Sequence, residues 1–290
     1  MNTFSSLILM LALACFNVFP QENIINVVVI GAHPDDCDNR AGGTAILYAE
    51  MGHRVLFISV TNGDAGHHEM GGGALAKRRM AEAKEAGRRF GVEYVVLDNH
   101  DAELMPTLDI RLQLMRLIRN WNADLVIGPR PNDYHPDHRN TAILVQDCAY
   151  MVIVPNVAPD TEPLKKNPVF LYVEDRFQKP NPFQADIAVD ISSVVEKKFY
   201  AMAAHESQFF EWLPWTSGKL QEVPNGEKER IKWLSTVRKA AISPATREAL
   251  VKRYGPARAN AAIAAEAFEI CEYGRRPSEE EIKKLFPMIK

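Results

Sequence analysis

Between Ile24 and Tyr150 the chain repeats one pattern, a short apolar run followed by a longer amphipathic stretch, and this limits its folds more than any other feature. Ile24–Ile30 is a run of β-branched residues, the composition expected of a strand buried on both faces. Gly42 to Met51 reads as a helix stopped by Gly52, and Arg54–Val60 as the next strand. Ala74 to Phe90, rich in Ala, Arg and Glu, reads as a helix ending at Gly91. Val92–Leu97, Leu108–Trp121 and Asp124–Gly128 continue as strand, helix and strand. Such alternation predicts an α/β fold, a Rossmann-like three-layer arrangement in which helices cover both faces of a mostly parallel sheet. Its crossovers should be right-handed.

Two segments break the rhythm. Asn62 to Gly73 holds Gly63, Gly66 and the triplet Gly71-Gly72-Gly73, the composition of a mobile loop. Its His67, His68 and Glu69 could approach a metal, although a surface loop without ligands is the plainer reading. Val152 to Pro182 is dense in proline and should be loop, with one strand near Val169–Val173. Beyond Val189 the pattern turns helical, over Val194–Ser207, Glu227–Lys239, Ala245–Tyr254, Ala257–Cys271 and Ser278–Leu285. The expected organisation is a signal peptide over residues 1–22, a core domain over 23–210 and a helical C-terminal extension over 211–290. That extension forms a small subdomain or wraps the main sheet, and Phe209, Phe210, Trp212, Trp215 and Trp233 offer aromatic area for docking.

The signal-peptide reading rests on Leu7 to Phe19, almost wholly apolar, with Ala12-Leu13-Ala14 as a small-x-small cleavage site. It implies export to a periplasmic or extracellular location. No Lys or Arg precedes the run, and Cys15 directly after Ala14 raises the alternative of a lipid anchor. A buried first strand or helix is the structural alternative. No other segment approaches the ~18 apolar residues of a membrane span. Without Cys15, Cys37, Cys148 and Cys271 remain, an odd number without paired spacing, so neither a disulfide framework nor a zinc ribbon is expected. A net charge of −3, with basic residues spread along the chain, gives no pull towards nucleic acid.

The chemistry lies in two clusters, His33-Pro34-Asp35-Asp36 and His135-Pro136-Asp137-His138, each placed after an expected strand. Imidazole and carboxylate are the donors that zinc and similar divalent metals take. His33 and Asp36, three residues apart across a strand-to-helix turn, can point at one spot, and Asp35 can accept a proton from a metal-activated water. His135 and His138 form an i, i+3 pair on one helix face. One can ligate while the other reaches the substrate. A lone His-Pro-Asp is often only a helix cap, but two such clusters in one sheet point to a metal hydrolase. Paired glycosidase acids are disfavoured, because sequence neighbours cannot flank a glycosidic bond at the required ~5–9 Å.

The run Val-Ile-Gly-Ala-His33-Pro-Asp-Asp36 with Gly42-Gly43 after it, together with Asp133-Tyr-His135-Pro-Asp-His138, resembles the LmbE/PIG-L superfamily of zinc-dependent N-acetylglucosaminyl deacetylases. Thr61-Asn-Gly-Asp64, Arg79-Met-Ala-Glu82, Asp101-Ala-Glu-Leu104 and His205-Glu-Ser-Gln208 resemble further family segments, the third of them normally Asp-Gly-x-Leu. The likeness covers Ile24 to Gln208. It implies His33, Asp36 and His138 as ligands of Zn2+ or another divalent transition metal. It implies Asp35 as general base, His135 as the group that stabilises or protonates the tetrahedral intermediate, and Asp137 as the partner holding His135 in its tautomer. Arg79 and Asp101 would contact sugar hydroxyls, and His205 is a weaker candidate for the substrate. The family's Leu-Gly-Cys-Gly-Gly is replaced by Cys37-Asp38-Asn39-Arg40-Ala41 before Gly42-Gly43, which alters the pocket floor and leaves the ligands intact. Cys37 is expected to face the protein rather than to ligate.

The implied activity is removal of an N-acetyl group from an amino sugar or glycoconjugate by a zinc-activated water. The alternatives are a metal amidase acting on a larger acyl or peptide-like conjugate, and a non-catalytic secreted carbohydrate-binding protein. An intact base beside a metal argues against the last.

Overall fold

A computed structural model describes residues 24–238 and 241–289. The expected signal peptide, Cys15 and the helix end at Lys239 lie outside the described residues. No helix among the described residues is long and apolar enough to cross a membrane.

The strands and helices alternate as β1 (Asn26–Gly31), α1 (Asp36–Glu50), β2 (Arg54–Ser59), α2 (Gly72–Phe90), β3 (Glu93–Val96), α3 (Leu108–Asn120), β4 (Leu125–Gly128) and α4 (Pro136–Met151). Next come β5 (Val169–Val173), β6 (Ile187–Asp190), α5 (Val195–Met202), a π-helical turn (Ser207–Trp212) and α6 (Leu213–Thr216). The chain closes with α7 (Glu227–Val237), α8 (Pro244–Tyr254), α9 (Pro256–Ala261), β7 (Ala265–Ile270) and α10 (Glu279–Leu285). The seven strands form one sheet in the order β3-β2-β1-β4-β5-β7-β6. The first five are parallel, while β7 pairs antiparallel with both β5 and β6. This is the expected α/β architecture.

Both faces of the sheet are covered, which is why β1 carries no polar alternation. Val27 and Val29 point into one core with Ile46, Phe57 and Phe90, while Val28 and Ile30 point into the other with Leu114, Ile118 and Leu144. From β1 the connections run outward to β2 and β3 on one side and to β4 and β5 on the other. The chain therefore reverses direction across the sheet between β1 and β4. A crevice opens at the carboxyl ends of such a strand pair, and the two His-Pro-Asp clusters follow those two strands.

The expected helix over Ala257–Cys271 is not one element. It divides into α9 and β7, and β7 enters the sheet between β5 and β6. The Ala- and Glu-rich sequence favours helix locally, but long-range contacts override that preference. Glu266 on β7 is 5% exposed, and its carboxylate accepts the backbone N–H groups of Gly43 (2.8 Å) and Thr44 (2.7 Å) within α1. Lys198 Nζ donates to both Glu266 Oε1 and the Asn39 carbonyl at 2.8 Å. An ion pair from two later elements thus grips α1 two turns after Asp36. Gly43 makes room for Ile191 beside this contact, since a Cβ there would come within 2.6 Å of the Ile191 side chain.

Candidate active site

The turn after β1 is shaped by one carboxylate. Asp36 Oδ2 accepts the backbone N–H of Ala32 (3.0 Å) and of His33 (2.9 Å), and the Asp36 N–H donates to the His33 carbonyl at 3.2 Å. Gly31 is required here, because a Cβ on it would lie 2.5 Å from the Asp36 Cβ. The tight turn forces Asp35 to φ 144°, a region that non-glycine residues rarely adopt and that gathers at functional sites. On the second cluster, His135 caps α4 with Pro136 at its first position, which places His138 one turn in, facing His33.

Three donor atoms converge. His33 Nδ1 lies 3.5 Å from Asp36 Oδ2, His138 Nε2 lies 3.5 Å from the same oxygen, and the two nitrogens are 3.2 Å apart. Donors about 2.0–2.1 Å from a common tetrahedral zinc are separated by about 3.3–3.4 Å. His33, Asp36 and His138 thus have the spacing that such an ion needs. Two other groupings are also within reach, His33 with His135 and His138, and His33 with Asp101 and Asp137. The first uses the His135 ring, whose Nδ1 already accepts the Asp137 backbone N–H at 3.2 Å. The second uses carboxylates that already serve His33 from behind.

That backing fixes the histidine tautomers. His33 Nε2 faces Asp101 Oδ1 at 3.0 Å and Asp137 Oδ2 at 3.3 Å, so this nitrogen carries the proton and Nδ1 is free to ligate. His138 Nδ1 faces Asp133 Oδ1 at 2.9 Å, which leaves Nε2 free in the same way. In their neutral forms the two imidazoles therefore turn lone pairs towards the Asp36 carboxylate oxygen. Burial alone would lower the pKa of His33, but Asp101, Asp137 and Asp36 raise it well above the usual histidine range. Burial likewise opposes charge on His138, and Asp36 and Asp133 overcome it. Burial opposes the Asp36 anion, yet His138 and His33 hold it far below the ordinary carboxylate value. The electrostatics of the cluster favour positive charge at its centre, which suits a divalent cation.

Arg79, expected as a sugar contact, is buried at 1% exposure. Nη2 donates to the Pro34 carbonyl (2.9 Å) and meets Asp35 Oδ1 at 3.3 Å, while Nη1 donates to the Gly63 carbonyl at 3.2 Å. It lies under the turn and steadies Asp35. The Asp35 carboxyl is raised to about 6 by burial, against the lowering effect of Arg79 and with a further push from Asp36. Asp101, the other expected sugar contact, is 7% exposed and turns its carboxylate to His33.

Asp137, expected beside His135, directs its carboxylate to His33 instead, and also accepts the N–H groups of Ala102 (2.7 Å) and Leu104 (3.3 Å). Its position in the first turn of α4 carries it under the site, where it is fully buried. Holding this turn sets Ala102 at φ 69°, where glycine would be at ease. His135 itself is half-buried, its ring edge-on to His33 with centroids 4.7 Å apart. Burial lowers its pKa, and His33 and His138 lower it further.

The glycine-rich segment is clamped rather than free. His67 stacks on His68, His68 on Trp215, and Trp215 on Trp212, with centroid spacings of 4.6, 5.2 and 5.3 Å. His67 Nε2 also meets Glu211 Oε2 at 2.8 Å. His67 and His68 therefore pack against the π-helical turn and α6, while Glu69 is exposed beside His68.

His205 and its neighbours tie three site elements together. His205 is fully buried against Asp38 (2.9 Å) of α1, Ser207 Oγ donates to Glu82 (2.6 Å) of α2, and Gln208 donates to the Gly66 carbonyl (3.0 Å). Cys37 is buried, and its Sγ donates to the Val29 carbonyl. Asp133 was not singled out from the sequence, although its place two residues before His135 was a usable signal. Tyr134, 75% exposed beside His135 and His138, and Arg238, at the C-terminal end of α7, were not singled out either.

Comparison with known proteins agrees with this geometry. Residues 28–149 match the family model PIG-L, described as GlcNAc-PI de-N-acetylase. A diacetylchitobiose deacetylase of Thermococcus kodakarensis is 33% identical over 209 residues, spanning 68% of this chain and 75% of that protein. A 4-oxalmesaconate hydratase of Pseudomonas putida is 25% identical over 210 residues, spanning 70% of this chain and 80% of that protein. Among solved structures, an N,N′-diacetylchitobiose deacetylase from Pyrococcus horikoshii complexed with its inhibitor superposes with a TM-score of 0.61. It is 26% identical, with 88% of each chain covered. Fold, motif positions and sequence together show that the chain belongs to the PIG-L (LmbE-like) family.

Proposed function

We propose that the protein is a metal-dependent N-deacetylase that removes the acetyl group from an amino sugar or glycoconjugate. The observation that carries this reading is the meeting of His33 Nδ1, Asp36 Oδ2 and His138 Nε2 beside the carboxyl group of Asp35, which is held in a strained turn by Arg79. The relatedness to diacetylchitobiose deacetylases supports the choice of amino sugar.

His33, Asp36 and His138 would hold Zn2+ or another divalent transition metal. Such an ion supplies Lewis acidity when bound, polarising the acyl oxygen and lowering the pKa of water towards ~7. Asp35 accepts the proton of the attacking water, and a carboxyl pKa of about 6 lies close to the value that suits a general base near neutrality. Arg79 keeps the Asp35 side chain aimed while that proton arrives. His135 accepts the Asp137 backbone N–H at Nδ1, so neutral His135 keeps its proton on Nε2 and donates a hydrogen bond from it to the acyl oxygen as charge develops there. The imidazolium form is not required for this. As the C–N bond breaks, Asp35 returns its proton to the departing amine, and acetate and the free amino sugar leave. The exported location expected from Leu7–Phe19 belongs to the same proposal.

N,N′-Diacetylchitobiose incubated with the metal-loaded protein should release acetate. Release should stop on chelation and return when Zn2+ or Co2+ is restored. Release that persists unchanged under chelation, or no release from any acetylated amino sugar, would overturn the reading. The relationship to the Pseudomonas hydratase favours a second reading, in which the same cluster activates water for addition to an unsaturated acid. Water uptake by 4-oxalmesaconate without acetate release would establish it.

A further inference from the structure

Asp36 and His138 of the donor cluster line a small cavity together with Arg40 and Asp175. Arg40 and Asp175 also line a much larger cleft of about 1250 Å3 between the sheet and the helices α5, α7 and α8. That volume exceeds the ~300–1,000 Å3 of ordinary small-molecule pockets. Its charges are unequally satisfied. Of the four acids that line it, Asp175 is paired to Arg130 (2.7 Å), Glu266 to Lys198 (2.8 Å), and Glu174 accepts from Ser243 and Thr246. The fourth, Glu196, is exposed on the first turn of α5.

Two arginines at the site end of the cleft have no acid within 4 Å among the described residues. Arg40 donates to the Glu174 carbonyl at 3.0 Å and forms no ion pair. The Arg238 side chain forms neither a hydrogen bond nor an ion pair there, and its guanidinium lies over the Phe209 ring, 5.4 Å from the centroid. Burial lowers its pKa, the more distant Asp35 raises it, and the positive charge of Arg40 lowers it again. Asp35 is already engaged by Arg79, and Asp36 by the histidines. Two like charges thus face one cleft without a counter-charge, at its junction with the reaction site. A guanidinium offers a planar fork of N–H donors that matches carboxylate and phosphate oxygens.

We infer that Arg40 and Arg238 form an anion subsite, and that the substrate carries a carboxylate or phosphate on the part of the molecule that extends from the acetylated sugar into the cleft. The inference rests on the deacetylase reading for the identity of that sugar. It assigns a specificity role to Arg238, which lies far along the chain from residues 28–149, the part that matches the family model.

The test uses the metal-loaded full chain and three deacetylated sugars that the reaction would not consume. These are glucosamine 1-phosphate, 4-carboxyphenyl glucosaminide and the neutral 4-methylphenyl glucosaminide, titrated by calorimetry. At least one anionic sugar should bind about tenfold more tightly than the neutral one, the scale of one charge-assisted contact. Which anion wins identifies the group. Arg238→Met and Arg40→Met should each remove that preference and leave neutral-sugar binding within about twofold. Equal binding of all three sugars overturns the subsite alone, as does an equal loss for all three in Arg238→Met. Absence of binding by any of them overturns the subsite and the amino-sugar reading together. A retained anionic preference without acetate release overturns only the deacetylase reading.

Discussion

Asp35→Asn should keep the metal and lose about 10²–10⁴-fold in kcat for acetate release, the range that a positioned general base contributes. Asparagine matches the shape of aspartate, so the Oδ1 contact with Arg79 and the tight turn through φ 144° both survive. The amide cannot take a proton from water, so only that step is removed. The carboxyl group is well placed for the step, because burial raises it towards neutrality while Arg79 limits the rise. Steady-state assays on wild type and variant at matched metal content provide the measurement. A fall smaller than about tenfold would show that another group takes the proton.

Arg79→Met should destabilise the fold by about 3–5 kcal/mol, the cost of leaving buried charge without its partner. Arg79 is among the largest fully buried side chains. Its removal strips the cation from Asp35 (3.3 Å) and Asp101 (3.8 Å) and leaves the carbonyls of Pro34 and Gly63 without that donor. Methionine fills much of the volume, so the loss reports charge and hydrogen bonding rather than a cavity. Urea denaturation of the metal-free chain isolates this effect from metal binding. An arginine exposed on the helix surface, without buried partners, would cost less than about 1 kcal/mol.

The contrast over Arg79 shows where the sequence stops being legible. The strands β1, β2 and β4 were readable because a parallel strand covered on both faces must be apolar along its length. The two clusters were readable because His33 with Asp36, and His135 with His138, are each fixed by local geometry. What surrounds them is assembled from a distance. Asp101 and Asp137 approach His33 from separate loops and helices, and which of them would back which histidine depends on packing that no short motif records. The same limit explains why α1 starts at Asp36 instead of Gly42. The polar run Cys37–Arg40 looks like loop, yet Asp38 is satisfied in the interior by Tyr94 and His205. It also explains β6 and β7, short antiparallel strands whose pairing joins residues some eighty positions apart. Their order in the sheet carries no local signature.

The most direct measurement is the metal content of purified protein by plasma mass spectrometry, for wild type, Asp36→Asn and Asp35→Asn. Adjacent carboxylates of the same chemistry are assigned opposite roles, so the pair separates ligand from base. The expected result is about one divalent transition metal per chain in wild type and in Asp35→Asn, with Asp36→Asn largely depleted. Full occupancy in Asp36→Asn together with loss in Asp35→Asn would contradict the site as assigned.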